Sequence, residues 1–230
     1  NIIILLIGIG NISNYAGISP NSSSSKENIK VLSYNVRLFN KYNWLEKPNV
    51  KKEIFNFLKT ENADILCIQE FYTTDEIPNL NYPYSHIGLQ SQKSQCHMAI
   101  YSHYPQIKKE TVSIKGERMN NTCIYSDMLI KGDTVRVYNI HLASNWFNSS
   151  DYSFMQNPQQ EKLKEGILGI TKRMRTSYKK RAEEVDVIKE HMLSSPYPLI
   201  VCGDFNDTPL SYAYHSIKGN LVDAFSQSGK

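Results

Sequence analysis

Leu199-Ile200-Val201-Cys202-Gly203-Asp204-Phe205-Asn206-Asp207 is an apolar run that stops at a glycine and then presents short polar side chains. A brief apolar run bounded by turn residues reads as a buried strand, and its polar end as the chemistry the strand delivers. Asp204 and Asn206 stand two apart, so in an extended chain they share one face while Phe205 takes the other. A carboxylate base beside an amide that orients its target suits that geometry. Asn, Asp and Pro209 are also ordinary loop starters, so the same residues read as a strand followed by an Asx turn. The segment alone leaves both readings open.

Three further segments repeat the design. Ile29 to Asn35 (Ile-Lys-Val-Leu-Ser-Tyr-Asn), Asp64 to Glu70 (Asp-Ile-Leu-Cys-Ile-Gln-Glu) and Thr134 to His141 (Thr-Val-Arg-Val-Tyr-Asn-Ile-His) each run apolar into a polar end. Strands side by side would gather Asn35, Glu70, His141, Asp204 and Asn206: a carboxylate and an amide for a hard divalent ion, a histidine, and a second carboxylate with its amide. Oxygen-rich ligation favours magnesium or manganese over zinc. Between the strands, Val50, Ile54, Phe57 and Leu58 recur at helical spacing just after Pro48. Tyr178, Ala182, Val185, Ile188 and Met192 mark a second helix that ends before Ser194-Ser195-Pro196. Strands alternating with helices argue against a helical bundle, and no repeat or heptad is present.

Ser33-Tyr34-Asn35-Val36-Arg37, Ile68-Gln69-Glu70, Asn139-Ile140-His141-Leu142 and Gly203-Asp204-Phe205-Asn206, in this order, resemble the endonuclease/exonuclease/phosphatase (DNase I-like) superfamily. It includes pancreatic-type deoxyribonucleases, abasic-site endonucleases, neutral sphingomyelinases and inositol polyphosphate 5-phosphatases. The resemblance runs from residue 29 to 225, and Met98 to Pro105 is similar to the family's strand ending in Ser-Lys/Arg-Tyr-Pro, with His103 where Lys or Arg is usual. It implies an α/β (α+β) fold, a four-layer sandwich of two packed mixed β-sheets flanked by helices. It further implies a Mg2+ (or Mn2+)-dependent hydrolase of phosphate mono- or diesters, a nuclease, phosphatase or phosphodiesterase. By the same resemblance, Glu70 would hold the metal with Asn35 beside it, Asp204 would take the proton from water, Asn206 would orient that water or a phosphate oxygen, and His141 would hydrogen-bond the phosphate. The alternative is a non-catalytic phospholigand-binding module of the same fold, though such a binder has no need for all five residues.

Length and charge are compatible with one catalytic domain. A chain of 230 residues can bury a full sandwich core without disulfides. A net charge of +4 attracts phosphorylated substrates, from nucleic acid to phospholipid headgroup or small phosphate, but falls short of a strong nucleic-acid footprint. Cys67 and Cys202 lie inside apolar strands as small hydrophobes; Cys96 and Cys123 are expected to stay unbridged, although both open strands. The aromatics Trp146, Phe147, Tyr152 and Phe154 in the 145–178 connection could stack on a base or touch lipid. In the same region, Lys172, Arg173, Arg175, Lys179, Lys180 and Arg181 could hold phosphates. For any one of these residues, packing or a solvated helix face is the commoner use.

Two terminal features shape the expected organisation. The uncharged run Ile2 to Ile9 and a Ser-rich tether at Ser22 to Ser25 make residues 1–28 an apolar remnant and linker. Such a run is too short for a bilayer, which needs about twenty residues. Opening on Asn, it is read as the end of a membrane anchor with the catalytic domain on the outer side, as in bacterial members of the family. Residues 29–230 form the catalytic domain, expected as a monomer. Family members close on a strand ending in Ser-Asp-His, and none follows Asn206. The domain is therefore expected to be C-terminally incomplete, and this stretch alone inactive and poorly stable.

Overall fold

The computed structural model describes residues 28–72, 79–88, 96–114, 123–157 and 163–228. Residues 29–206 form one compact unit. Among the described residues eight strands build two sheets of four, ordered β1-β2-β4-β3 and β5-β6-β7-β8. The first sheet holds β1 (Val31–Asn35), β2 (Ile65–Tyr72), β3 (Tyr84–Gly88) and β4 (Cys96–Ser102). The second holds β5 (Gln106–Thr111), β6 (Cys123–Ile130), β7 (Asp133–His141) and β8 (Leu199–Asp204). Each sheet has one parallel pair, β1 with β2 and β7 with β8, and its other pairs are antiparallel. The mixed-sheet sandwich expected from the sequence is therefore present.

Alternation along the strands divides the core into two apolar layers. Ile65, Cys67, Met98 and Ile100 of the first sheet meet Ile124, Met128, Ile130 and Val137 of the second. Leu66, Ile68, Phe71 and Tyr101 point the other way, onto helix α1 (Val50–Glu61), which contributes Phe55 and Leu58. Phe55 stacks on Phe39 with centroids 4.8 Å apart, whereas Phe57, expected in the core, is 41% exposed and leans on Tyr34. Phe39 reaches that position from a left-handed turn, Arg37–Asn40, in which four successive residues have positive φ.

Helices α2 (Ser149–Gln156) and α3 (Leu163–Leu193) follow β7. The connection expected to run from Asn145 to Tyr178 is thus largely helical. Val185, Ile188 and Met192 of α3 are buried, and the Tyr138 hydroxyl of β7 meets His191 Nδ1 at 2.8 Å, so α3 covers the outer face of the second sheet. This gives the outer layer its second helix.

Residues 207–228 belong to the other unit. There Ser211 caps helix α4 (Tyr212–Lys218) by accepting from the Tyr214 N–H, and Ala213 and Ile217 are buried. The Tyr214 hydroxyl bonds the Asp223 carboxylate ahead of α5 (Ala224–Ser228). Residues 1–27, which carry the apolar run and the Ser-rich tether, lie outside the described residues. Among the described residues no helix is long and apolar enough to cross a membrane, and no disulfide joins Cys96 to Cys123.

Candidate active site

The two parallel pairs decide where the polar ends fall. In β1, Leu32 and Tyr34 face α1, which turns Ser33 and Asn35 toward the second sheet. In β7, Val137 packs between the sheets, and Asn139 and His141 follow it on the same face. In β8, Ile200 and Cys202 do the same and Asp204 ends the series, opposite His141 in the strand register. Period-two alternation therefore delivers Asn35, His141 and Asp204 to one rim of the inter-sheet space.

Glu70 is out of phase. Gln69 faces the second sheet, so an unbroken strand would send Glu70 to the helix side. A bulge between Ile68 and Phe71, with Glu70 at φ +50°, turns it back. Its Oε1 then accepts from Asn35 Nδ2 at 3.1 Å and lies 3.8 Å from His141 Nε2. A left-handed backbone at a non-glycine residue costs about 1–3 kcal/mol, a strain that concentrates at functional sites.

Asn35 is the hub of the cluster. Its Nδ2 also donates to Asp204 Oδ2 at 2.9 Å, while its Oδ1 accepts from the Arg37 N–H at 2.9 Å. Asp204 Oδ1 accepts from the Asn206 N–H at 2.9 Å, so the Asx turn left open by the sequence is present. Asn206 has φ +50°, and its Nδ2 donates to Leu142 O at 2.9 Å. It therefore stands at the rim through a turn and not by continuing the strand. Gly203 permits the close passage of β8 along β7, since a Cβ there would lie 1.9 Å from Ile140 O.

Directly beneath the site, Gln69 and Asn139 bridge the sheets. Gln69 Nε2 donates to Asn139 Oδ1 at 2.7 Å and to Ser33 Oγ at 3.1 Å, and Asn139 Nδ2 donates to Ile68 O and Ala99 O, both at 3.0 Å. Both amides are buried. Sequence reasoning passed over this pair, although each sits on the core-facing phase of a strand that ends in a site residue, where an amide must find partners. Nearby, a hydrogen bond that the Cys67 thiol donates to the Cys202 sulfur, and then burial, push the Cys67 thiol well up, which suits the inert core role expected of both.

Beyond His141 the chain is held from α3. Glu184 Oε2 accepts from the Ala143 N–H at 2.9 Å, and Arg181 Nη1 donates to Ala143 O at 2.8 Å and to Asn145 Oδ1 at 3.1 Å. Arg173 pairs with Asp151 at 2.7 Å, and Asp151 also closes a capping box with Asn148 at the start of α2. Arg181, Arg173, Lys179 and Lys180 were all candidates for holding phosphate. The first two fasten the fold, and the lysines face Glu183 and Glu184. Phe154 likewise serves packing, its ring filling the notch at Gly166 where a Cβ would meet it at 2.5 Å. Trp146, Phe147, Tyr152, Met155 and Gln156 instead line an open groove of about 510 Å³ whose wall includes Asn206. His103 stacks on Tyr82 with centroids 4.6 Å apart.

No three His, Cys, Asp or Glu side chains among the described residues form a protein-only metal cage. The donor set suits a hard ion of the magnesium type, which is commonly bound by one or two carboxylates and completed by water and substrate phosphate. Glu70, with the Asn35 amide bonded to it, offers such an oxygen site.

The sequence model of the Endonuclease/Exonuclease/phosphatase family matches residues 32–228. No curated protein is significantly similar to the chain in sequence. Among solved structures, beta toxin from Staphylococcus aureus aligns over 84% of this chain and 71% of its own, at 18% identity and TM-score 0.57. Sphingomyelinase C from Streptomyces griseocarneus aligns over 85% and 71%, at 17% identity and TM-score 0.55. A humanized D. rerio TDP2 aligns over 83% and 66%, at 15% identity and TM-score 0.52. These likenesses establish a shared fold. A beta toxin variant from Staphylococcus aureus with the same fold, aligned at 18% identity, carries bound magnesium ions.

Proposed function

Because the chain belongs to the endonuclease/exonuclease/phosphatase family, we propose that it is a magnesium- or manganese-dependent hydrolase of phosphate esters, with phosphodiesters as its principal substrates. The observation that carries this reading is the convergence of Asn35, Glu70, His141 and Asp204, from four separate strands, at one sheet rim, with Asn35 hydrogen-bonded to Glu70 and Asp204 and His141 Nε2 3.8 Å from Glu70. A diester is favoured because the groove beside Asn206 provides room for a second organic group next to the phosphorus.

Glu70, with Asn35 beside it, would hold the divalent ion, which when bound polarises phosphoryl oxygens and offsets charge on the leaving oxygen. Asp204 takes the proton of the attacking water. Its two oxygens already accept from Asn35 and Asn206, which fix the carboxylate plane and leave lone pairs for that water. His141 donates to a phosphoryl oxygen as negative charge develops there. Asn206, anchored through Nδ2 on Leu142 O, uses Oδ1 to orient the water.

The test is hydrolysis of matched phosphomonoesters and phosphodiesters by the full-length protein, with magnesium and with a chelator. Glu70→Gln and Asp204→Asn should each lower turnover by about two orders of magnitude or more, as for loss of a metal ligand or general base. Near-normal rates in both variants would overturn the assignment. Metal-independent binding of phosphate esters without turnover would favour a recognition module instead. A monomer tethered to a membrane through residues 1–28, with the domain outside the cytoplasm, is proposed from the sequence alone; protease accessibility in intact cells tests it.

A further inference from the structure

The groove next to the phosphate position is built from a segment whose shape is fixed in advance. Trp146 leaves 70% of its surface exposed and Tyr152 55%, although both border a concave wall. Trp146 has φ +54°, a conformation that a bulky residue rarely adopts and that the surrounding contacts must impose. Those contacts are present: Arg181 and Glu184 grip Ala143 on either side of its peptide, and Arg181 also holds the neighbouring Asn145 side chain. On the far wall, α2 is locked by its capping box, by Asp151 to Arg173 and by Phe154 in the Gly166 notch. Phe147 and Tyr152 meet edge to face, with centroids 6.0 Å apart.

The lining combines ring faces with amide groups. Trp146, Phe147 and Tyr152 offer flat apolar surface beside the Met155 side chain, while the Asn145 Nδ2 and the Gln156 amide offer polar groups at the border. An acyl chain gains nothing from amides and prefers a wholly apolar channel. A flat heteroaromatic ring uses both, stacking on the faces and hydrogen-bonding at its edge. Asn206 belongs to both the groove and the strand-tip cluster, so a ring bound there is one ester substituent away from the reacting phosphorus.

We infer that the groove over residues 144–156 is a subsite for a nucleobase-like ring carried by the phosphodiester, with Trp146 as its stacking platform. The inference rests on the phosphodiesterase reading and narrows its substrate class. Trp146 is a specificity-determining residue and takes no part in the bond-breaking step.

The experiment compares thymidine 5′-(4-nitrophenyl) phosphate, hexyl 4-nitrophenyl phosphate and methyl 4-nitrophenyl phosphate, which share one leaving group. The thymidine ester should exceed the methyl ester in kcat/KM by about tenfold or more, the scale of one base–aromatic stack. Trp146→Ala should collapse that ratio toward one, and Trp146→Phe should retain part of it. A ratio unchanged in Trp146→Ala overturns the subsite, as does a hexyl ester preferred over the thymidine ester in a Trp146-dependent way, which would mark a lipid groove. A second readout is independent of turnover. In a Trp44→Phe background, thymidine 5′-monophosphate should quench the fluorescence of the remaining Trp146 saturably, whereas octyl phosphate should not. Quenching without hydrolysis of any ester would sink the catalytic reading and keep the subsite; hydrolysis without quenching would do the reverse.

Discussion

The strand-tip cluster and the groove wall meet at Asn206, yet they are held by different means. The tips are fixed by strand alternation and by two neutral amides, Gln69 and Asn139, joined across the sheets in a dry interior. The groove wall is fixed by ionised groups reaching from one long helix, Arg181 and Glu184 to the chain at Ala143 and Arg173 to α2. Buried amides act only through direction and contact, so they hold a geometry that charge conditions scarcely alter. Charged anchors bind the backbone more strongly but, where partly exposed, yield to salt. Arg181 and Glu184 are themselves buried, so of these anchors only the partly exposed Arg173 is open to screening.

Asn139→Leu tests the first half of this contrast and should have the largest effect. It leaves the Gln69 amide and two backbone carbonyls short of partners, for a loss of about 2–3 kcal/mol in urea unfolding. Adding Gln69→Leu should recover part of that loss, because removing both partners leaves fewer buried groups unsatisfied. A double variant as unstable as the sum of the singles would break the idea of a mutually satisfied bridge. Arg181→Met tests the other half. It should cost about 1–2 kcal/mol through the unpaired Ala143 carbonyl and lower the preference for the thymidine ester more than it lowers turnover of the methyl ester. An equal fall on both esters would place Arg181 with the tips instead of the wall.

The smallest expected effect concerns another polar contact between the sheets, His86 Nδ1 to Ser126 Oγ at 3.3 Å. Burial holds the His86 imidazole at about 4 against an ordinary 6.5. Below pH 6.5 the unfolded chain therefore takes up a proton that the folded chain refuses, and stability falls as pH drops toward 4, then levels off. His86→Gln should flatten that limb by something on the order of 1 kcal/mol, since the ring is only partly shielded. An acid limb unchanged in the variant would assign the loss to other groups.

Much of the tip cluster was legible because strand alternation is a simple period. Once Val137, Ile200 and Ser33 are assigned to the inner face, His141, Asp204 and Asn35 follow by counting. Glu70 does stand beside Asn35, but its route there was not foreseeable, since Gln69-Glu70-Phe71 contains neither glycine nor proline to announce a bulge. The first helix was legible and its buried face less so, because Phe55 is selected by Phe39 in a left-handed turn that no local preference predicts. The early part of α3 carries Gly166 and Gly169, which lower its helical propensity. Packing of Phe154 against Gly166 outweighs that propensity, a tertiary contact that local sequence does not announce.

Gly203 carries no reactive atom, yet the carbonyl of Ile140 occupies the space that any side chain there would need. A selection for inactive variants should therefore return changes at this silent position as readily as changes at the acid beside it, and such clones should lack soluble protein where those at Asp204 retain it. Ranking residues by chemical type alone would misread that harvest, since in this sandwich the tolerance of a position is decided by backbone crowding as much as by reactivity.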